Sequence, residues 1–246
     1  MGKTGGGPGT NQYGVKGISK TKRARGRDNP EAGINLESIG PTSELQPVRG
    51  ERAGTTDVGR DRHRFLLPEY KWVRKQAELD AVEEEQIALA QVWLMKHPCK
   101  SSGEVLDPEW LKTLHGRMLG RVWSFAGHFR TTRLNLGVMP HQVEPELIRG
   151  LNLAKMLIKK NASAGEIAVR LHLDLVRVHP FMDGNGRHAR IVAGEIARVL
   201  GLGDDYFTWG ADSGREPAEI RAEYLSAVRH GVETNDITRL LVIAKS

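Results

Sequence analysis

From Phe65 onward the apolar side chains recur at intervals of three and four, a spacing that puts them on one face of an α-helix. Leu79, Val82, Ile87, Ala90, Trp93 and Leu94 mark a helix over Glu78–Lys96, with Glu83, Glu84 and Glu85 mostly on its solvated side. Asp107 offers an N-cap carboxylate and Pro108 suits the first helical position, so a second helix carries Trp110, Leu111, Leu114 and Met118 inward and ends near Gly120. A third spans about 144–159. Ser163 caps a fourth, whose Ile167, Leu171, Leu175 and Val178 face the core. Ile191, Val192, Ile196, Val199 and Leu200 continue as a helix stopped by Gly201 and Gly203, and two more follow over 217–229 and 237–244. The period breaks once, where Leu134, Leu136 and Val138 alternate with Arg133, Asn135 and Gly137 as in a strand. The expected fold is all-α, a helical bundle with one short β-hairpin flap.

Residues 1–64 have a different texture, rich in Gly, Arg, Thr and Asp and poor in clustered large apolar side chains, so they cannot offset the entropy of ordering. They read as a disordered basic tail, and 65–246 as one folded domain. The formal charge of +6 belongs to the tail: 12 Lys and Arg stand against 7 Asp and Glu there, and 24 against 23 in the remainder. Its run Lys20–Arg27 is a candidate phosphate-backbone or acidic-partner contact resting on charge alone. No long apolar run or leader-like segment is present, so a soluble cytoplasmic protein without membrane contact is expected. Cys99, the single cysteine, is expected to pack as a small hydrophobe.

Between two of these helices lies Val178-His-Pro-Phe-Met-Asp-Gly-Asn-Gly-Arg-His-Ala-Arg190. Gly184, Asn185 and Gly186 lead into a helix N-terminus, where unpaired amides and the helix dipole favour an anion. Arg187 and Arg190, three apart on the first turn, can clamp phosphate oxygens from one face. Asp183 supplies the single carboxylate that a nucleotide-bound Mg²⁺ commonly takes. His179 suits proton removal from an attacking hydroxyl near neutral pH, Pro180 favours an extended backbone at His179, and Phe181 anchors the loop. A hydrolytic metal site made of His172, His179 and Asp183 would leave the Gly-Asn-Gly triplet and both arginines without a role.

The stretch His179–Arg190 resembles the signature of Fic domain proteins at every fixed position, His-Pro-Phe-x-(Asp/Glu)-Gly-Asn-Gly-Arg-x-x-Arg. "WSFAGHFRTTRLNLGV" and "FTWG" are similar to the Fic subfamily called mobile mystery protein B. The resemblance implies an all-helical Fic-type fold and transfer of AMP from ATP to a Ser, Thr or Tyr hydroxyl of a target protein, with Mg²⁺ as cofactor. It makes His179 the base, Asp183 the metal ligand, Gly184, Asn185 and Gly186 the phosphate cradle, Arg187 and Arg190 the β- and γ-phosphate clamps, and gives the Asn185 side chain a contact to the α-phosphate. It further makes residues 129–143, with Arg133, Leu134, Asn135, Leu136, Gly137 and Val138, a flap that docks an extended target segment.

Within the same fold, transfer of another nucleotide or of phosphocholine, and removal of AMP, remain alternatives; a non-catalytic nucleotide- or partner-binding module is the reading from a different class. The inhibitory pattern (Ser/Thr)-x-x-x-Glu-(Gly/Asn) of many Fic proteins is absent, since none of the 19 glutamates has Ser or Thr four residues before it. Inhibition would then come from a separate antitoxin, from an altered segment such as Glu83–Glu85, or not at all. By analogy a toxin-antitoxin-like pair is expected, with a helix-turn-helix protein of the mobile mystery protein A type as a candidate partner.

Overall fold

The computed structural model of the chain describes residues 60–211 and 213–246. The run Lys20–Arg27 and the rest of the expected tail up to residue 59 lie outside the described residues. Residues 60–64, counted with the tail on composition, are part of the folded body. They form a one-turn helix α1 (Arg60–His63), after which Phe65 and Leu66 dock onto the Val122–Ser124 turn. The Leu66–Trp123 pair is an isolated antiparallel bridge, and Leu67 N–H donates to the Val122 carbonyl at 2.9 Å.

The remaining helices are α2 (Gln76–Lys96), α3 (Ser102–Val105), α4 (Pro108–Leu119), α5 (Val143–Lys159), α6 (Ala164–Val178), α7 (Asn185–Val199), α8 (Pro217–Thr234) and α9 (Thr238–Lys245). Their starts follow the side chains that cap them. Asp107 accepts from the Glu109 amide at 3.1 Å and opens α4 with Pro108 as its first residue, and Ser163 Oγ accepts from the Glu166 amide at 3.2 Å and opens α6. α6 is the centre of the bundle, packed between α5 and α7 and touched by α8 and α9. Its Ile167, Leu171, Leu175 and Val178 are buried, each contributing roughly 1.5–3 kcal/mol of transfer free energy. Val192, Ala193, Ile196 and Ala197 of α7 are buried in the same core, so the α6–α7 connection is held at both ends by apolar contact.

The strand expected in the flap is not formed. Residues 128–139 run as bends and irregular chain, with no strand among them. The alternating apolar residues are used for packing on a loop instead: Leu136 is buried, Leu134 and Val138 are half-buried, and Arg133 and Asn135 are exposed. The segment's amides go to the α6–α7 connection, Arg130 N–H to the Pro180 carbonyl at 2.9 Å and Val138 N–H to that of Val178 at 3.4 Å. Among the described residues no helix is long and apolar enough to cross a membrane. Cys99 is buried, and burial pushes its thiol up to about 12, which leaves it protonated and unreactive.

Candidate active site

The α6–α7 connection is short, so the last residue of one helix and the first turn of the next share a single turn of chain. His179 ends α6, its N–H donating to the Leu175 carbonyl at 3.0 Å. Its backbone is left-handed, φ +54° and ψ +62°, rather than the extended conformation that Pro180 favours. For a non-glycine residue this costs about 1–2 kcal/mol, so surrounding contacts must hold it. Arg130 does so: buried at 3% exposure, its Nε donates to the His179 carbonyl at 2.6 Å. The same guanidinium donates to the carbonyls of Thr132 (3.1 Å), Val138 and Val178 (3.3 Å), tying both arms of the flap to the loop.

The His179 ring lies with Nδ1 3.3 Å from the Val176 carbonyl. A carbonyl only accepts, so Nδ1 carries the proton and Nε2 is the basic atom of the neutral ring. The residue is 1% exposed because the flap passes over it. Gly137, at φ +85°, makes the close passage: a Cβ there would lie 2.5 Å from the His179 Cβ.

Asp183 is 3% exposed; its Oδ1 accepts from the Gly184 amide at 2.7 Å, and its Oδ2 pairs with the Arg62 guanidinium. Its carbonyl accepts from His115 Nε2 at 2.9 Å, while His115 Nδ1 accepts from the Gly127 amide at 3.0 Å, which fixes the neutral tautomer. Burial, first of all, holds the His115 imidazole well below its ordinary range, with His188 and Arg187 adding repulsion. His115 stacks on Phe181 at 3.8 Å, and Phe181 is fully buried, as expected of an anchor.

Gly184 is the N-cap of α7 at φ +75°, where a Cβ would strike the Leu119 side chain at 2.5 Å, and no side chain caps the helix. Asn185 and Gly186 are already helical, so the triplet is half loop and half first turn. The Asn185 side chain turns back on Phe181, Oδ1 accepting from its amide at 2.9 Å and Nδ2 donating to its carbonyl at 2.8 Å. It thereby locks the loop at Phe181.

The two arginines project near each other but rest on different supports. Arg187 meets Glu83 of α2 at 2.8 Å, and the Trp123 indole N–H donates to the other Glu83 oxygen at 2.6 Å. Glu83 is fully buried, which corrects the expectation of a solvated acidic triplet: Glu84 and Glu85 are exposed, Glu83 is not. Arg190 lies over the Tyr224 ring at 4.6 Å and the Trp209 ring at 5.6 Å. Burial draws its guanidinium below the ordinary range, Tyr224 opposes this by hydrogen bonding, and Arg187 adds repulsion. Tyr224 in turn meets His172 Nε2 at 2.8 Å, and burial lowers His172 to about 3.

His172 is thereby a wall residue rather than a metal ligand, and among the described residues no group of three or more His, Cys, Asp and Glu is placed to hold a metal by itself. The donor set fits a Mg²⁺ ion that arrives with a nucleotide: one carboxylate, with one oxygen on a backbone amide and the other facing a cation, and the remaining ligands from phosphate and water. Arg62, Glu83, His115, Trp123, Arg130 and Tyr224 complete the site and were not singled out for it by sequence, apart from the acidic run 83–85. For Glu83 a signal existed, since it falls on the line Leu79, Ile87, Ala90, Leu94 that faces the core.

Residues 105–197 match the family described as Fic/DOC family. Among solved structures, Fic-1 (residues 134–508) from C. elegans is 24% identical with a TM-score of 0.54, over 67% of this chain and 48% of that one. The chain thus spans about half the length of that relative. BepC, a VirB-translocated effector from Bartonella tribocorum solved with bound AMPPNP, is 14% identical with a TM-score of 0.58, over 76% of this chain and 97% of that one. A Fic domain from Bartonella quintana, described as a cell filamentation protein and solved with bound ADP, is 15% identical with a TM-score of 0.54, over 69% and 84%. These likenesses identify the helical arrangement as the Fic fold.

Proposed function

We propose that the chain is a Fic protein, of the subfamily called mobile mystery protein B, that transfers AMP from ATP to a Ser, Thr or Tyr hydroxyl of a target protein. The observation that carries this is the start of α7. A helix whose N-cap is a glycine with no capping side chain opens between a carboxylate, Asp183, and two adjacent guanidinium groups, with His179 one turn of chain away. Amides, dipole and guanidinium charge at one spot suit a polyphosphate. The AMPPNP and ADP in the Bartonella structures support a nucleotide at such a fold.

In this reading the amides of the first turn of α7, with Arg187 and Arg190, bind the β- and γ-phosphates and hold the α-phosphorus in line with the incoming hydroxyl. Asp183 would hold Mg²⁺, which when bound supplies neutralisation of phosphate charge. His179 Nε2 takes the hydroxyl proton as that oxygen bonds to the α-phosphorus; the bond from phosphorus to the bridging oxygen breaks, and pyrophosphate leaves with the electron pair. Asn185 locks the loop through Phe181, and its side chain is the contact proposed for the α-phosphate. The flap, Arg133 to Val138, receives the target segment, and because it covers His179 at Gly137, docking must include its displacement there. Arg130, which donates to carbonyls of both the flap and the α6–α7 connection, opposes that displacement.

A cytoplasmic setting, an antitoxin of helix-turn-helix type and a toxic effect on growth belong to the same proposal by analogy. The reaction is tested with α- and γ-labelled ATP and a host lysate. Label from the α position is expected on protein, none from the γ position; label from γ alone rejects AMP transfer.

A further inference from the structure

Asp183 is nearly sealed from solvent, yet one of its oxygens is met by a residue from outside the α6–α7 connection: Arg62 of α1, itself about one-third exposed. The Arg62 guanidinium also lies over the Trp123 ring at 5.4 Å, and the same indole supports Glu83 against Arg187. Two motif charges, one on either side of the Gly-Asn-Gly triplet, are therefore matched by groups braced on one tryptophan.

We propose that the α1 segment is an intrasteric strap: Arg62 holds Asp183 in the resting protein and must leave before a divalent cation binds there. This rests on Asp183 being the metal ligand in the function proposed above. Oδ1 is engaged by the Gly184 amide, so Oδ2 is the oxygen a cation takes, and Arg62 stands on it. A guanidinium and a divalent ion on one carboxylate oxygen repel, whereas a buried carboxylate with neither is strongly disfavoured, so one replaces the other. The strap is built to part at this point. α1 is a single turn, and just beyond Arg62 the chain is pinned: Lys71 Nζ donates to the His63 carbonyl at 2.9 Å, His63 Nε2 meets the Lys71 carbonyl at 3.0 Å, and Leu66 pairs with Trp123. Arg62 can swing away while residues 63–71 stay docked. Metal affinity is then reduced by the fraction of molecules with the strap on.

The test is calorimetry of AMPPNP binding to the full chain, with Mn²⁺ or with EDTA, in wild type, Arg62→Met, Arg62→Gln, Arg64→Ala and Asp183→Ala. Met keeps the stem over Trp123 and removes only the charge, and Gln is the second variant should Met perturb folding. Both Arg62 variants are expected to bind Mn²⁺-AMPPNP about tenfold tighter than wild type. Without metal they should bind AMPPNP no tighter, because a cation near the phosphates has been removed. Arg64→Ala, at an exposed side chain over Phe65, should match wild type. Mn²⁺-AMPPNP affinity in both Arg62 variants equal to or below wild type overturns the strap. If Asp183→Ala still gains as much from Mn²⁺ as wild type, the metal-ligand reading fails instead, and the strap with it.

Discussion

His179→Ala is expected to lower the rate of AMP transfer about 10² to 10⁴-fold while leaving nucleotide affinity within a few-fold of wild type. The separation follows from geometry. The imidazole lies at the end of α6, Nδ1 turned to the Val176 carbonyl, and contributes its other nitrogen to the proton in flight rather than to the phosphates. The groups assigned to the nucleotide belong to α7 and stay where they are when the ring is removed, since the left-handed backbone at 179 is held through its carbonyl by Arg130. Isothermal titration with AMPPNP and single-turnover transfer of α-label separate the two quantities. A variant that transfers at the wild-type rate would remove His179 from the chemistry; one that loses nucleotide binding as well would make it part of the loop's support.

Acidification from pH 7 to pH 5 is expected to destabilise the fold by a few kcal/mol, a noticeable share of the roughly 5–15 kcal/mol that holds a domain together. His115, His172 and His188 are buried and neutral, and burial is the first cause of the lowering in each: His172 falls to about 3, His188 to about 4, and His115 lies well below its ordinary value. In the unfolded chain all three take up protons near pH 6.5. The stability they contribute is therefore fully present above about pH 6.5 and is lost as pH falls toward the folded values. Urea unfolding at a series of pH values measures the slope. Stability that is flat between pH 7 and pH 5 would contradict the neutral assignment of these rings, and with it the fixed tautomer of His115 that supports the Asp183 carbonyl.

The helices were readable because their signals are local. Asp107 and Ser163 cap the turns that follow them, and apolar residues three and four apart commit α4, α5 and α6 to one face each. The thirteen-residue motif was readable because its residue types are dense and its chemistry convergent, and the structure places it across the end of α6, the connection and the start of α7. What sequence left out depends on distant partners. Glu83 reads as one of three acidic neighbours until Trp123 and Arg187 are placed around it, and only its position in the buried line of α2 distinguishes it. The Leu134–Val138 alternation suggested a strand, but a strand needs a partner, and Arg130 instead ties this segment to the carbonyls of residues 178 and 179. Pro180 argued for an extended His179; the helix-ending bond to Leu175 and the Arg130 contact override that preference. Residues 60–64 carry a tail-like composition and still fold, because Phe65 and Leu66 dock on Trp123 and bring the preceding turn against Asp183.

The most direct measurement is a crystal structure of the protein with AMPPNP and Mn²⁺. Phosphate oxygens should lie within hydrogen-bond reach of the Gly186 and Arg187 amides and of the Arg190 guanidinium, with the metal between Asp183 and the phosphates and Arg62 displaced. A triphosphate bound elsewhere, with Asp183 still on Arg62 and the first turn of α7 untouched, would contradict it.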